Sequence, residues 1–219
     1  MTVADRKERE RQQRRKDIID VAEKKFFEKG FDGVSMDEIA RELELSKPTI
    51  YLYFKNKESL FLAVTMRGMV ILGDMFKAGV DSHKTGLGKA KGFIRSFFDY
   101  AKNYPDYYAV LVAARTRRFM SVIRAGEVEN AAEFGKKSLE MLTLLLEAID
   151  LGQKDGTIRK GLNPMETAIF LSMACEGAVQ MTPEWEYLLQ YKQVTIEKYY
   201  EHSTDVILHG IAGKEDPAE

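Results

Sequence analysis

A single cysteine, Cys175, leaves the chain unable to form an internal disulfide, and no thiol-enzyme motif or zinc-ligand spacing accompanies it. Prolines are few, five in 219 residues, and runs of alternating β-branched residues are scarce. Long stretches of helical period fill the chain instead, so the expected fold class is all-α. A net charge of -1 favours neither nucleic acid nor a membrane surface. The first residues are a charged run and not an apolar segment, and no stretch is read as reaching membrane-spanning length. Cytoplasmic localisation and no membrane partner are the expectation. Nucleophile–base pairs, paired-carboxylate motifs and Gly-rich phosphate loops are also missing, so no catalytic residues, cofactors or enzyme activity are expected. His202 and His209, seven apart without an acidic or cysteine partner, make a poor metal site, and none is expected.

What is present begins with a basic arm, residues 1–16. Between Arg6 and Lys16 it holds seven basic residues, and it reads either as a partly disordered solvated tail or as a DNA-backbone contact. Ile18, Ala22 and Phe26 then form one apolar helix face, which Gly30 ends and Phe31 folds back upon. Ser35-Met36-Asp37-Glu38 is a capping box, in which the Ser35 hydroxyl and the Glu38 carboxylate are expected to satisfy each other's backbone amides. Met36, Ile39, Ala40 and Leu43 supply the buried side of that second helix. Ser46 can cap a third helix, with Pro48 tolerated in its first turn, and Asn56 can cap a fourth near Lys57.

Two short helices joined by a tight turn and supported by a preceding helix make a helix-turn-helix. If Ile50 and Phe54 are buried, Pro48, Tyr51, Leu52 and Lys55 point outward, with Lys47 and Thr49 on the flanks. Leu52 has no structural task there, whereas an apolar side chain can meet thymine methyls in a major groove. Thr49 suits a methyl or a base edge, and Lys47 can donate to guanine. Tyr51, Tyr53 and Lys57 carry donors for phosphate oxygens, and Ser35 offers a helix N-terminus to another.

Residues 33–62, GVSMDEIARELELSKPTIYLYFKNKESLFL, resemble the signature of the TetR family of bacterial and archaeal regulators. Ile39-Ala40, Pro48-Thr49-Ile50-Tyr51, Tyr53-Phe54 and Lys57-Glu58 occur in order, and Ala22 to Gly30 looks like the end of that family's first helix. Glu44 stands where the family usually has glycine, which implies a local strain of about 1–2 kcal/mol in the turn. The resemblance implies that Lys47, Pro48, Thr49 and Tyr51 approach bases, and that Ser35, Tyr53 and Lys57 clamp the backbone. It implies about nine helices: a three-helix DNA-binding domain over 1–60 and a ligand-binding and dimerisation domain over 61–219. Segment 1–60 holds 14 basic and 13 acidic residues, so DNA affinity must come from charge placement and dimerisation.

In the larger domain six helices are expected, near 57–80, 88–104, 105–124, 127–151, 164–181 and 183–211. Leu139 to Ile149 is apolar nearly all round and reads as a buried central helix. Phe97, Tyr100, Tyr104, Tyr108, Phe170 and Met173 are candidate pocket residues for an apolar or aromatic effector. Arg115 either reads an anionic group on that effector or pairs with an acid such as Glu176. The plainer reading of each aromatic is core packing. The last two helices are expected to pair with their symmetry mates through Ile196, Tyr199, Ser203, Val206 and Gly210, beside the small residues Ala174, Gly177 and Ala178. Together these expectations describe a homodimeric repressor on a palindromic double-stranded operator, released by a small effector. An activator of the same fold and an architectural DNA binder without an effector are the alternatives.

Overall fold

The computed structural model describes residues 3–213, which form eleven helices and no strand beyond one isolated antiparallel bridge, Ile158 to Ala212. They are α1 (Val3–Lys29), α2 (Met36–Glu42), α3 (Lys47–Tyr51), α4 (Lys57–Asp81), α5 (Gly86–Asn103) and α6 (Pro105–Ala114). After these come α7 (Arg117–Arg124), α8 (Ala131–Asp155), α9 (Pro164–Val179), α10 (Pro183–Tyr191) and α11 (Ile196–His209). The all-α expectation holds. The excess over nine helices has a local cause, because two long helical runs each contain an internal cap. Thr116 accepts a hydrogen bond from the Phe119 amide (3.4 Å) and separates α6 from α7. Thr195 accepts from the Lys198 amide (3.3 Å), after Gln193 at φ 56° has turned the chain out of α10.

The described residues fall into two compact units. The first comprises residues up to Val70 together with Tyr104–Lys136, and the second comprises Ile71–Asn103 and the chain from Lys137 onward. The linear boundary expected at residue 60 is therefore not a break. Helix α4 runs through it, and α6 and α7 rejoin the first unit.

In the first unit Ile18, Ala22, Phe26, Ile39, Ile50 and Phe54 are all buried, drawn from α1, α2, α3 and the turn that follows α3. Phe26, Phe31, Phe61 and Phe119 extend this core as edge-to-face rings 5.0–5.7 Å apart, with Phe26 and Phe31 stacked at 6.3 Å. Such pairs add about 0.5–1.5 kcal/mol each beyond the area they bury. Arg67 ties α4 to α1 by donating to Asp20 (2.5 Å) and Glu23 (3.0 Å), and the Tyr107 hydroxyl donates to the same Glu23 (2.7 Å). Burial, followed by the hydrogen bond to Glu23, pushes the Tyr107 phenol up to about 12.

In the second unit α5 packs against α9 and α11, which also touch each other. Phe76 stacks on Phe93 at 3.7 Å, and Phe98 stacks on Tyr200 at 4.4 Å. Helices α4 and α5 cross where Gly79 meets Gly92. A Cβ on Gly92 would lie 2.1 Å from the Gly79 carbonyl oxygen, so only glycine allows this approach.

Three expectations change. Residues 3–16, read from sequence as an arm, form the first half of α1, exposed as far as Arg14. Leu139 is 59% exposed, so α8 is buried on one side through Met141, Leu145, Ala148 and Ile149, and not all round. Helix α4 is long and apolar enough to cross a membrane, contrary to the reading that no stretch is, although 61% of its most apolar window is buried in the fold.

Burial also governs Cys175, whose thiol is pushed up to about 12, first by desolvation and then by Glu176. We expect the thiol to resist Ellman's reagent at pH 8 in the native protein and to react promptly in denaturant. Rapid native labelling would show that α9 does not bury this side chain.

Candidate nucleic-acid interface

The outward surface of α3 is built from beneath. Ile50 and Phe54 are fully buried, which turns the intervening positions away from the core. Leu52 is 76% and Tyr51 43% exposed, Lys47 and Pro48 are exposed, and Thr49 and Tyr53 are half-buried beside them. The helix start is fixed by Ser46, whose hydroxyl accepts from the Thr49 amide (3.3 Å) and shares a hydrogen bond with the Thr49 hydroxyl (2.7 Å). Pro48 occupies the first turn, where an amide would have no intrahelical partner. The turn before α3 passes through Glu44 at φ 55°, a left-handed conformation held by a non-glycine residue as expected. At the far end Asn56 caps α4 by accepting from the Ser59 amide (2.8 Å) and hydroxyl (2.7 Å).

Ser35 caps α2 and accepts from the Glu38 amide (3.2 Å). The other half of the expected box differs, because Glu38 directs its carboxylate to Lys29 (2.5 Å) and Lys25 (3.4 Å) on α1. A charged partner outbids a backbone amide for a partly exposed carboxylate. Lys29, then Lys25, holds the Glu38 carboxyl below its ordinary value. This link between α1 and α2 is therefore complete above the ordinary carboxylate range and is lost as pH falls through the lower folded value.

Lys47 extends from α3 to Asp37 on α2 (2.9 Å), and Asp37 holds the ammonium charged to higher pH. Sequence reasoning missed Asp37, whose relevance depends on two helices meeting. Lys57 departs more sharply from expectation. Its ammonium donates to the carbonyls of Phe31 (2.8 Å) and Val34 (2.9 Å) and lies 4.1 Å from the Phe31 ring centre. It holds the α1–α2 connection instead of extending freely to a phosphate.

The expected effector residues are divided. Phe97 and Tyr100 are buried in the second unit, Phe97 near the rings of Phe76 and Phe98. Phe170 and Met173 are also in that unit but are 65% and 66% exposed, because Ala168, Leu171 and Cys175 take the inward face of α9. Tyr104, 39% exposed, Tyr108, half-buried, and Arg115, exposed, belong to the first unit. Tyr104 is the N-cap of α6, so the aromatic stripe of α5 does not run on past Pro105. Within the first unit a cleft of about 320 Å³ is lined by Phe31, Phe61, Phe119 and Val122, with Glu58 among its polar groups. Among the described residues there is no cluster of three or more metal-ligating side chains.

A sequence model described as "Bacterial regulatory proteins, tetR family" matches residues 18–64, the stretch that builds α2, α3 and their support. Over that stretch, about a fifth of its length, the chain is similar to the TetR family. Among curated relatives it is 27% identical over 101 residues to the HTH-type transcriptional activator FasR of Mycolicibacterium smegmatis. That match covers 46% of each protein, so the chain spans less than half the length of that curated relative. The fold similarity extends further. The ketosteroid transcriptional regulator KstR2 of Mycobacterium tuberculosis superposes with a TM-score of 0.65 at 16% identity, over 92% of this chain and 96% of that one. FadR of Bacillus subtilis, solved with stearoyl-CoA, gives 0.64 at 19% identity, over 89% and 98%.

Lys57→Met should lower the unfolding free energy by about 2–3 kcal/mol in a urea titration with unchanged m, because it removes charge-assisted hydrogen bonds. An unchanged urea midpoint would show that the Lys57 ammonium is not tying this turn.

Proposed function

We propose that this chain is a transcriptional regulator that reads double-stranded DNA as a homodimer. The carrying observation is the α3 surface, where Lys47, Pro48, Thr49, Tyr51 and Leu52 are presented over buried Ile50 and Phe54. An exposed leucine between potential hydrogen-bonding side chains suits a major groove, where thymine methyls alternate with base-edge donors and acceptors. Tyr53 and the α2 N-terminus at Ser35 serve the phosphates on either side. Lys57 acts behind them by fixing the turn. The DNA-reading role belongs to the segment through α3, and sensing and dimerisation belong to the chain beyond it. A protein acting on the chromosome in this way works in the cytoplasm as a regulator and not as an enzyme.

Dimerisation is supported by apolar surface that a lone chain leaves in water. On α9 Met165, Ile169, Phe170 and Met173 are 45–66% exposed along one face. A Cβ added to Gly177 on the same helix would meet nothing within 4 Å. Helix α11 exposes Ile196 and Val206, and α10 exposes Trp185, Tyr187 and Tyr191 while burying no residue of its own. The expected pairing of the last two long helices thus falls on α9 and α11, with α10 as an additional aromatic element between them in sequence. Aromatic and methionine side chains with few charges are the composition of interface cores.

We assign the protein as a repressor released by a small apolar or aromatic effector. KstR2 is named a ketosteroid transcriptional regulator, and FadR was solved in complex with stearoyl-CoA, which carries a long apolar chain. For this chain we retain the apolar chemistry of the effector and not one residue set, since Phe170 and Met173 are better explained as interface. FasR, by contrast, is named an activator, so the effector titration below is read for its sign.

Selection from random duplexes should return one near-palindrome with half-sites about 34–36 Å apart. Leu52→Ala should cost about 1–3 kcal/mol against that site with thermal stability unchanged. Equal affinity for all sequences would instead indicate an architectural DNA binder. A saturating effector, screened among acyl-CoAs and steroids, should weaken operator binding some 5–150-fold, and operator should weaken effector binding by the same factor. Tightened binding would reverse the assignment to activator.

Trp185 is the only tryptophan and is 57% exposed in the single chain. Its emission should shift to the blue as the protein associates with rising concentration, in step with a doubling of mass by sedimentation. Phe170→Glu should abolish both changes. A monomer at micromolar concentration would remove the dimer from this proposal.

A further inference from the structure

The exposed first half of α1 makes no use of its length in packing. Residues 3–14 are exposed throughout, and the first residue of α1 to enter the core is Ile18. Fourteen residues, 3–16, rise about 21 Å. This stretch is held helical from within by ties four residues apart: Arg6 to Glu10 (2.9 Å), Gln12 to Glu8 (2.7 Å) and Gln13 to Asp17 (2.8 Å). Those ties also occupy the carboxylates and leave cations of one face free. Lys7, Arg11 and Arg14, spaced i, i+4 and i+7, fall on a single face, and Arg15 on its edge is anchored 4.6 Å over the Phe54 ring. Among the described residues none of Lys7, Arg11 and Arg14 has a carboxylate partner within 4 Å.

This face meets the end of the recognition helix. A channel of about 680 Å³ is lined by Lys7, Glu10, Arg11 and Arg14 from α1 together with Leu52 and Tyr53. A neighbouring channel, beyond Arg11 and Arg15, is walled instead by Glu129 and Glu133. An anionic strand leaving Tyr53 is therefore attracted along the Lys7–Arg11–Arg14 side and repelled from the other. From Lys7 to Arg14 the helix advances about 10 Å, the axial rise of about three phosphates on one strand.

We propose that the first four turns of α1 form a phosphate-binding rail, which follows the DNA backbone outward from each half-site and adds sequence-independent affinity. The inference rests on the DNA-reading proposal above. Lys7, Arg11 and Arg14 meet the anionic strand through charge and phosphate contacts, so the rail contributes to salt-dependent affinity and not to site preference.

The test compares the full-length protein with Lys7→Gln/Arg11→Gln/Arg14→Gln and with a control of equal charge change, Arg9→Gln/Lys16→Gln/Lys24→Gln, whose sites lie on α1 off the rail face and leave the Arg6–Glu10 tie in place. Glutamine keeps helix propensity, and circular dichroism with thermal melting checks that each variant is folded. Operator and scrambled duplexes are titrated from 50 to 300 mM salt. For the rail variant the slope of log K against log salt should become shallower by about 0.9 per lost contact, about 5 in a dimer, with the operator-to-scrambled ratio unchanged. The control should change the slope by less than about half as much. Equal effects of the two variants would reduce the rail to diffuse charge and overturn the proposal, as would an unchanged slope or a collapse of the operator preference alone. Failure of the unmodified protein to bind any duplex would sink the DNA-reading assignment itself, a result separate from any of these.

Discussion

The burial of Ile50 and Phe54 is the constraint on which the rest depends. Both side chains lie in a core shared with Ile18, Ala22 and Phe26 of α1 and Ile39 of α2. Helix α3 is only five residues long and is too short to be stable alone, so its existence and its direction are both products of this packing. Once the two inward positions are fixed, the helical period forces Lys47, Pro48, Tyr51 and Leu52 outward. An exposed leucine, which would otherwise be a small stability defect, becomes the most informative residue of the surface.

The charged groups around this core do two kinds of work. Some are committed to the fold. Lys57 bonds the carbonyls of the α1–α2 connection, Arg67 bridges two acids of α1, and Glu38 is held between Lys25 and Lys29. Others are left available, chiefly Lys7, Arg11 and Arg14 on the exposed part of α1. A net charge near zero conceals this division. The sum of charges gave no reason to expect DNA, whereas their placement separates a structural set from an exposed basic set beside α3.

Much of the local architecture was legible in residue order. Gly30 at φ 66° and the caps at Ser46 and Asn56 act where their types and spacing placed them, and Glu44 adopts the strained turn its position implied. The second half of the capping box was not legible, because Lys29 competes for Glu38 across a gap of nine residues. Nor were the breaks at Thr116 and Thr195, since a threonine inside an apolar-periodic run marks a cap only when the chain turns there. Phe170 and Met173 looked like pocket residues because helical spacing identifies a face without saying what it faces.

The sequence by itself determined the helical class, the helix-turn-helix and the inward residues of its three helices, because these follow from period and capping within a few turns of chain. Tertiary structure decided which cations are spent and which remain, that Gly79 and Gly92 must be small for α4 and α5 to cross, and that the aromatic residues of α9 and α10 face outward. The physical reason is distance along the chain. Periodicity and caps act over three to eight residues, whereas a partner for Lys57, Glu38 or Phe170 is chosen by whatever the fold brings alongside.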